Sequence, residues 1–209
     1  MSAALAADAS SLNLLSGVSA GESNNSGGNI LIAPEPSWAV DPFSNWVSFA
    51  NTGLGGIVLA NTDLSTPTAI FYQNFTLTGG TGVAGSIQVW ADDTAVVKLD
   101  GVVIFAANPT LAARCAAGPI GCTQANGGSI TFSAPGLSHT LEFDVFQRGG
   151  GTFGLMYDGQ VAATAAVPEP ATVSIAGIGL AACGFLGLRG WSRRRARPLP
   201  VAPGMGRID

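Results

Sequence analysis

Lysine and histidine each occur once in these 209 residues, and charged side chains make up only 11% of the chain, under half the share of an ordinary soluble domain. Apolar residues reach 47%, which excludes a charge-driven disordered chain. The lone lysine beside 29 glycines excludes a helical coiled coil, because the strong helix formers that such a structure needs are scarce. No phosphate-binding loop and no zinc-ligand spacing is present. What fills the solvent-facing positions instead is glycine, serine, threonine and asparagine, a composition suited to strands and turns.

Across residues 29–163 short β-branched and aromatic runs are parted by glycine, proline and asparagine, without a sustained 3.6-residue apolar period. The pattern predicts strands over 29–33, 46–50, 57–59, 70–78, 85–91, 95–99, 102–106, 129–133, 140–147, 152–157 and 160–163. The fold class is therefore all-β, an antiparallel β-sandwich of jelly-roll type. Asp100-Gly101, set between two apolar runs, predicts a two-residue hairpin turn in which both positions take positive φ. Leu141, Phe143 and Val145 alternate with Glu142 and Asp144, giving that strand an inner and an outer face. The stretches 90–101 and 139–145, the second followed by Gly149-Gly150-Gly151, resemble galactose-binding-like β-sandwich modules. That resemblance implies a fold and leaves the ligand open.

Charge is unevenly spread. Up to Pro170 twelve acids face three bases (Lys98, Arg114 and Arg148), a balance of −9, whereas from Ala171 onward six arginines face one acid, +5, which together give the net −4. An acidic body argues against a nucleic-acid partner. Residues 171–188 carry no charge, and a helix of about 18 residues spans about 27 Å at 1.5 Å per residue, close to a bilayer core of roughly 30 Å. Arg189, Arg193, Arg194, Arg195 and Arg197 follow at once, and basic residues beside a span stay on the cytoplasmic side. A single C-terminal transmembrane helix is predicted; a buried Ala/Gly-rich core helix is the alternative. Ahead of it stand Pro168, Glu169 and Pro170, where the prolines hold the chain extended.

Taken in order, Pro168-Glu169-Pro170, the Ala/Gly-rich stretch and the arginine cluster resemble a PEP-CTERM protein-sorting signal. The resemblance covers about thirty residues and departs from the family in the Pro-rich dozen that follows, 198–209. It implies export by a Gram-negative bacterium that makes an extracellular polymeric matrix. Its implied partner is an exosortase, acting near the Pro-Glu-Pro stretch at the membrane. An exported chain needs a basic start and an apolar stretch, yet the first basic side chain here is Lys98. Ala4-Leu5-Ala6 has the small-x-small form of a cleavage site, so residues 1–28 are expected to hold the remnant of a longer signal peptide; the alternative is a cytoplasmic protein with an Ala-rich start. The organisation then reads as an N-terminal segment 1–28, a sandwich 29–163, a linker 164–170, a membrane helix 171–188 and an Arg-rich cytoplasmic tail 189–209.

Cys115 and Cys122 enclose a Gly- and Pro-containing loop and, in an oxidising compartment, predict a local disulfide. Two cysteines and one distant histidine make no four-ligand zinc set, so neither a metal nor a cofactor is expected. His139, before a strand, is expected to be exposed or to cap a loop rather than to act as a base. Asp92 and Asp93 suit a turn through side-chain to backbone hydrogen bonds, with calcium coordination as the other reading. Trp90 shares a face with Gln88 while Ile87 and Val89 point the other way, which makes Trp90 the candidate glycan contact. The expectation is a non-catalytic exported surface or extracellular-matrix protein. The alternative is a lectin-like module that binds extracellular polysaccharide.

Overall fold

The computed structural model describes residues 9–106, 110, 114–116 and 118–165. The sorting motif Pro168, Glu169 and Pro170, the apolar stretch 171–188 and Arg189, Arg193, Arg194, Arg195 and Arg197 lie outside the described residues. Among the described residues no helix is long and apolar enough to cross a membrane.

Alternation of apolar and polar side chains dictates strands that bury one face, and the described chain forms eleven of them. In order they are β1 (Ser11–Leu15), β2 (Glu22–Asn24), β3 (Ile30–Leu31), β4 (Val47–Ser48), β5 (Ala69–Thr76), β6 (Gly82–Asp92), β7 (Thr94–Leu99), β8 (Val102–Phe105), β9 (Gly128–Pro135), β10 (Ser138–Phe146) and β11 (Gly154–Thr164). One sheet runs β3-β4-β11-β6-β9, with β1 also paired to β11; the other runs β2-β5-β10-β7-β8. Every ladder is antiparallel. The inner faces meet through Phe71, Val97, Leu141, Phe143 and Val145 on one side and Ile87, Val89, Leu155, Tyr157 and Val161 on the other, all buried. Phe143 stacks on Tyr157 across the two sheets, ring centroids 4.7 Å apart.

The all-β sandwich expected from the sequence is the fold observed. The Asp100-Gly101 turn is as expected, with φ of 51° and 81°, and joins β7 to β8. Beyond shifts at strand ends, three differences change the organisation. Residues 1–28 are not merely a leading segment, because β1 and β2 lie within them and pair with β11 and β5. Residues 57–59 form only an isolated bridge from Val58 to Gly151. The expected strands 152–157 and 160–163 are one strand, β11, held extended by β6 on one side and β1 on the other.

Candidate functional site

Four strands set the candidate site by register alone. Asn13 on β1 faces Gln160 on β11, which faces Ser86 on β6, which faces Thr131 on β9. One step along, Leu15, Asp158, Gln88 and Ser129 align in the same way. Directly opposed residues of antiparallel strands share a face, so these eight side chains form two parallel rows on the outside of the sheet. They line an open groove of about 610 Å³, together with Phe43.

The groove begins where the cover of the sheet stops. The next row along the outer face is Met156 opposite Trp90, and both are buried in a second apolar cluster with Ile32, Trp38, Ala39, Trp46 and Cys122. Trp90 therefore stands off the main core as alternation requires, yet it is only 5% exposed. It cannot serve as an open stacking platform, because the segments around Trp38, Trp46 and Cys122 close over it. Trp38 and Trp46 pack 4.2 Å apart between ring centroids, and Trp46 Nε1 donates to the Ala39 carbonyl at 2.8 Å. Sequence alternation cannot report such a cover, because the covering residues come from elsewhere in the chain.

Phe43 is the aromatic that alternation missed. It sits in a loop rather than a strand, so no periodicity marks it, and it is 67% exposed. Its loop is fixed at both ends. Asp41 Oδ1 accepts the amides of Phe43 and Ser44, each at 2.8 Å, an Asx-type turn. Asn45 N donates to the Ser16 carbonyl at 2.8 Å, and Ser16 Oγ donates to the Asn45 carbonyl at 2.7 Å, which ties the loop beside the end of β1. Burial raises the Asp158 carboxyl above its ordinary value, and contact with Asp41 raises it further. Among the described residues Asp158 is the one charged residue in the groove lining.

The other expected site residues do different work. Cys115 and Cys122 are joined by a disulfide, with Cα atoms 4.7 Å apart. The Cys122 amide also donates to the Cys115 carbonyl at 2.7 Å. Asp92 lies beside the two sulfurs, but sulfurs already bonded to each other are not thiolate ligands. Asp93 accepts the amides of Cys115 at 2.8 Å, Arg148 at 2.7 Å and Gly149 at 2.5 Å, so it ties loops together through backbone donors, the turn-type role read from the sequence. Burial pushes Asp92 well above the carboxylate range, and the neighbouring Asp93 charge adds to this.

His139 is buried rather than exposed. Its Nδ1 lies 2.7 Å from Asp100 Oδ2 and its Nε2 lies 3.0 Å from the Gly136 carbonyl. Two acceptors suit an imidazolium, so this ring bridges two turns and has no nitrogen free to act as a base. Gly17-Val18-Ser19-Ala20-Gly21 has the spacing of a nucleophile elbow. It forms instead the turn between β1 and β2, where Ser19 Oγ accepts from Leu15 N at 2.7 Å and donates to the Asn13 carbonyl at 3.3 Å. Glu142 and Asp144 do share the outer face of β10, and Lys98 Nζ lies 2.7 Å from each carboxylate. Asp144 is only 7% exposed.

No protein-family model and no curated protein matches the chain. Among solved structures it is similar to the native structure of a family 35 carbohydrate binding module from Clostridium thermocellum, at 10% identity and a TM-score of 0.39, over 74% of this chain and 99% of that one. It is also similar to the catalytic domain of a GH87 alpha-1,3-glucanase in complex with tetrasaccharides, at 12% identity and a TM-score of 0.31, over 79% of this chain and 30% of that one. Likenesses at these scores carry no argument about the site.

Proposed function

We propose that the described domain is a non-catalytic glycan-binding module of an exported surface or matrix protein, and that the groove across β1, β11, β6 and β9 is its binding face. The observation that carries this is one groove in which the amides and hydroxyls of Asn13, Gln160, Ser86, Thr131, Gln88 and Ser129 stand in two ordered rows beside an exposed Phe43. A sugar offers hydroxyls that each need a donor or an acceptor, and Asn, Gln, Ser and Thr side chains supply both. It also offers an apolar C–H face, which an exposed aromatic ring can cover. A nucleic acid would need basic residues, and among the described residues none lines the groove. A protein partner would favour an apolar centre.

The non-catalytic part of this reading is supported by the carboxyls of the groove. Glycoside hydrolysis uses two carboxyl groups about 5 Å or more apart, flanking the scissile bond. Asp158 is the one carboxyl in the groove lining among the described residues, which supports binding in place of hydrolysis.

The test is a glycan array followed by calorimetry on the full chain. Saturable binding, weakened about tenfold, or about 1.4 kcal/mol, in Phe43→Ala with an unchanged circular-dichroism spectrum supports the reading. Silence across neutral and charged glycans overturns it. Export is proposed on separate grounds, the PEP-CTERM-like order of residues 168–197. Deleting residues 170–209 should keep the protein from the cell surface in fractionation. An unchanged distribution would remove the basis for an exosortase partner.

A further inference from the structure

We infer that the groove holds an internal stretch of a neutral, extended oligosaccharide laid across the strands, about one sugar unit per strand, and that it turns away acidic glycans. This rests on the glycan-binding reading above and adds orientation, length and charge to it.

Orientation and length come from the sheet. The two rows run perpendicular to the strands, one polar from β1 to β9 and the other, which starts at Leu15, polar from β11 to β9. Each of these two strands pairs on one side only, so both are edges of the sheet. Neighbouring strands lie about 4.8 Å apart, so four strands present polar groups over about 14 Å. That spacing is close to the advance of one pyranose along an extended chain, so successive units meet successive strands: Gln160 on β11, Ser86 and Gln88 on β6, and Thr131 on β9. Because the rows end at two sheet edges, a longer chain can run on past either end without being cut or capped. Alternate units of an extended chain turn opposite edges to the protein, and two parallel rows offer a partner to each edge.

Charge selection comes from Asp158 and Asp41. Asp158 stands within one row, and Asp41, which caps the Phe43 loop, adds its influence to the burial of that carboxyl. Neither makes an ion pair among the described residues, and no base lines the groove. A uronate carboxylate or a sulfate brought here would meet like charge with no cation to receive it.

The experiment uses the full chain, with arrayed neutral linear homo-oligosaccharides of one to six hexose or pentose units and matched oligouronides, at pH 7 and low salt. Affinity should rise by at least about tenfold from the single unit to the unit that fills the fourth strand, and then stay level. The oligouronides should bind at least about tenfold more weakly than neutral chains of equal length, and Asp158→Asn should narrow that gap. Saturable binding in which a single unit binds as tightly as a tetramer, or in which oligouronides match neutral chains, overturns this inference and leaves glycan binding standing. No binding to any sugar overturns both. The length series on the unaltered protein decides the matter even if the Asp158 variant does not fold.

Discussion

Trp90 and Phe43 exchange the roles that the sequence suggests for them. Trp90, on a strand with clear alternation, is sealed in a cluster with Trp38, Trp46 and Cys122, whereas Phe43, in a loop with no periodicity, is the ring left open. The indole nitrogen of Trp90 is buried without a partner among the described residues, and a side chain at Gly127 would collide with it, so that glycine is required by close approach. Trp90→Ala should therefore cost about 3–5 kcal/mol of stability, the range for truncating a buried large aromatic. Urea denaturation measures it, and a variant as stable as the parent would show that the second cluster is not packed as described. Phe43→Ala should leave the same midpoint unchanged. Alternation identified correctly which face of β6 Trp90 occupies, but it could not see the loop that covers that face, because nothing local in residues 85–91 encodes contacts made by residues 32–46.

At the scale of elements, local chemistry was legible wherever it decided the backbone and silent wherever pairing did. Asp100-Gly101 was readable because a two-residue turn demands positive φ at both positions, and both have it. Asp158-Gly159 is the same dipeptide and does not turn; neither residue has positive φ, since ladders on both sides hold β11 straight. β1 and β2 went unread for a related reason. They have five and three residues, too few to show a period, and they exist because β11 and β5 offer open edges to pair with. The groove rows were legible only as scattered neutral polar residues, since register across four strands is not written in any one of them. If β1 belongs to the core, Leu14, fully buried, should matter as much as a central residue. Leu14→Ala is expected to lower stability by about 2–5 kcal/mol, read from chemical denaturation. A loss under about 0.5 kcal/mol, the range for a surface site, would return residues 9–28 to the status of an appendage.

For the whole molecule, buried acids set the response to pH. Burial is the first cause raising Glu22, Asp92, Asp144 and Asp158. Burial alone would lower His139, but the Asp100 carboxylate and the Gly136 carbonyl outweigh it and raise it. In each case the folded chain holds a proton more tightly than the unfolded one. The stability this gives is complete below about pH 4 for the acids and about pH 6.5 for the histidine, and is lost as pH rises through the folded values. Asp63, lowered to about 2 by hydrogen bonds from Ser65 and Thr66, works the other way. So does Asp100, where burial would raise the carboxyl but the His139 and Thr140 hydrogen bonds lower it. Both contributions are present above about pH 4 and fade in acid. Stability should therefore peak between about pH 4 and 6.5, with Tm falling from pH 5 to pH 8 in scanning calorimetry. His139→Gln should flatten the fall above about pH 6.5. A Tm that rises from pH 5 to 8 would contradict the burial of these groups.

Three of the four tryptophans, Trp38, Trp46 and Trp90, share one cluster, and the first two bracket the loop that carries Phe43. Any guest that leans on that ring pushes against a segment anchored by the Trp46 indole to the Ala39 carbonyl. If the proposed guest does seat there, native ultraviolet emission, recorded without dye or tag, should shift as the neighbouring groove fills.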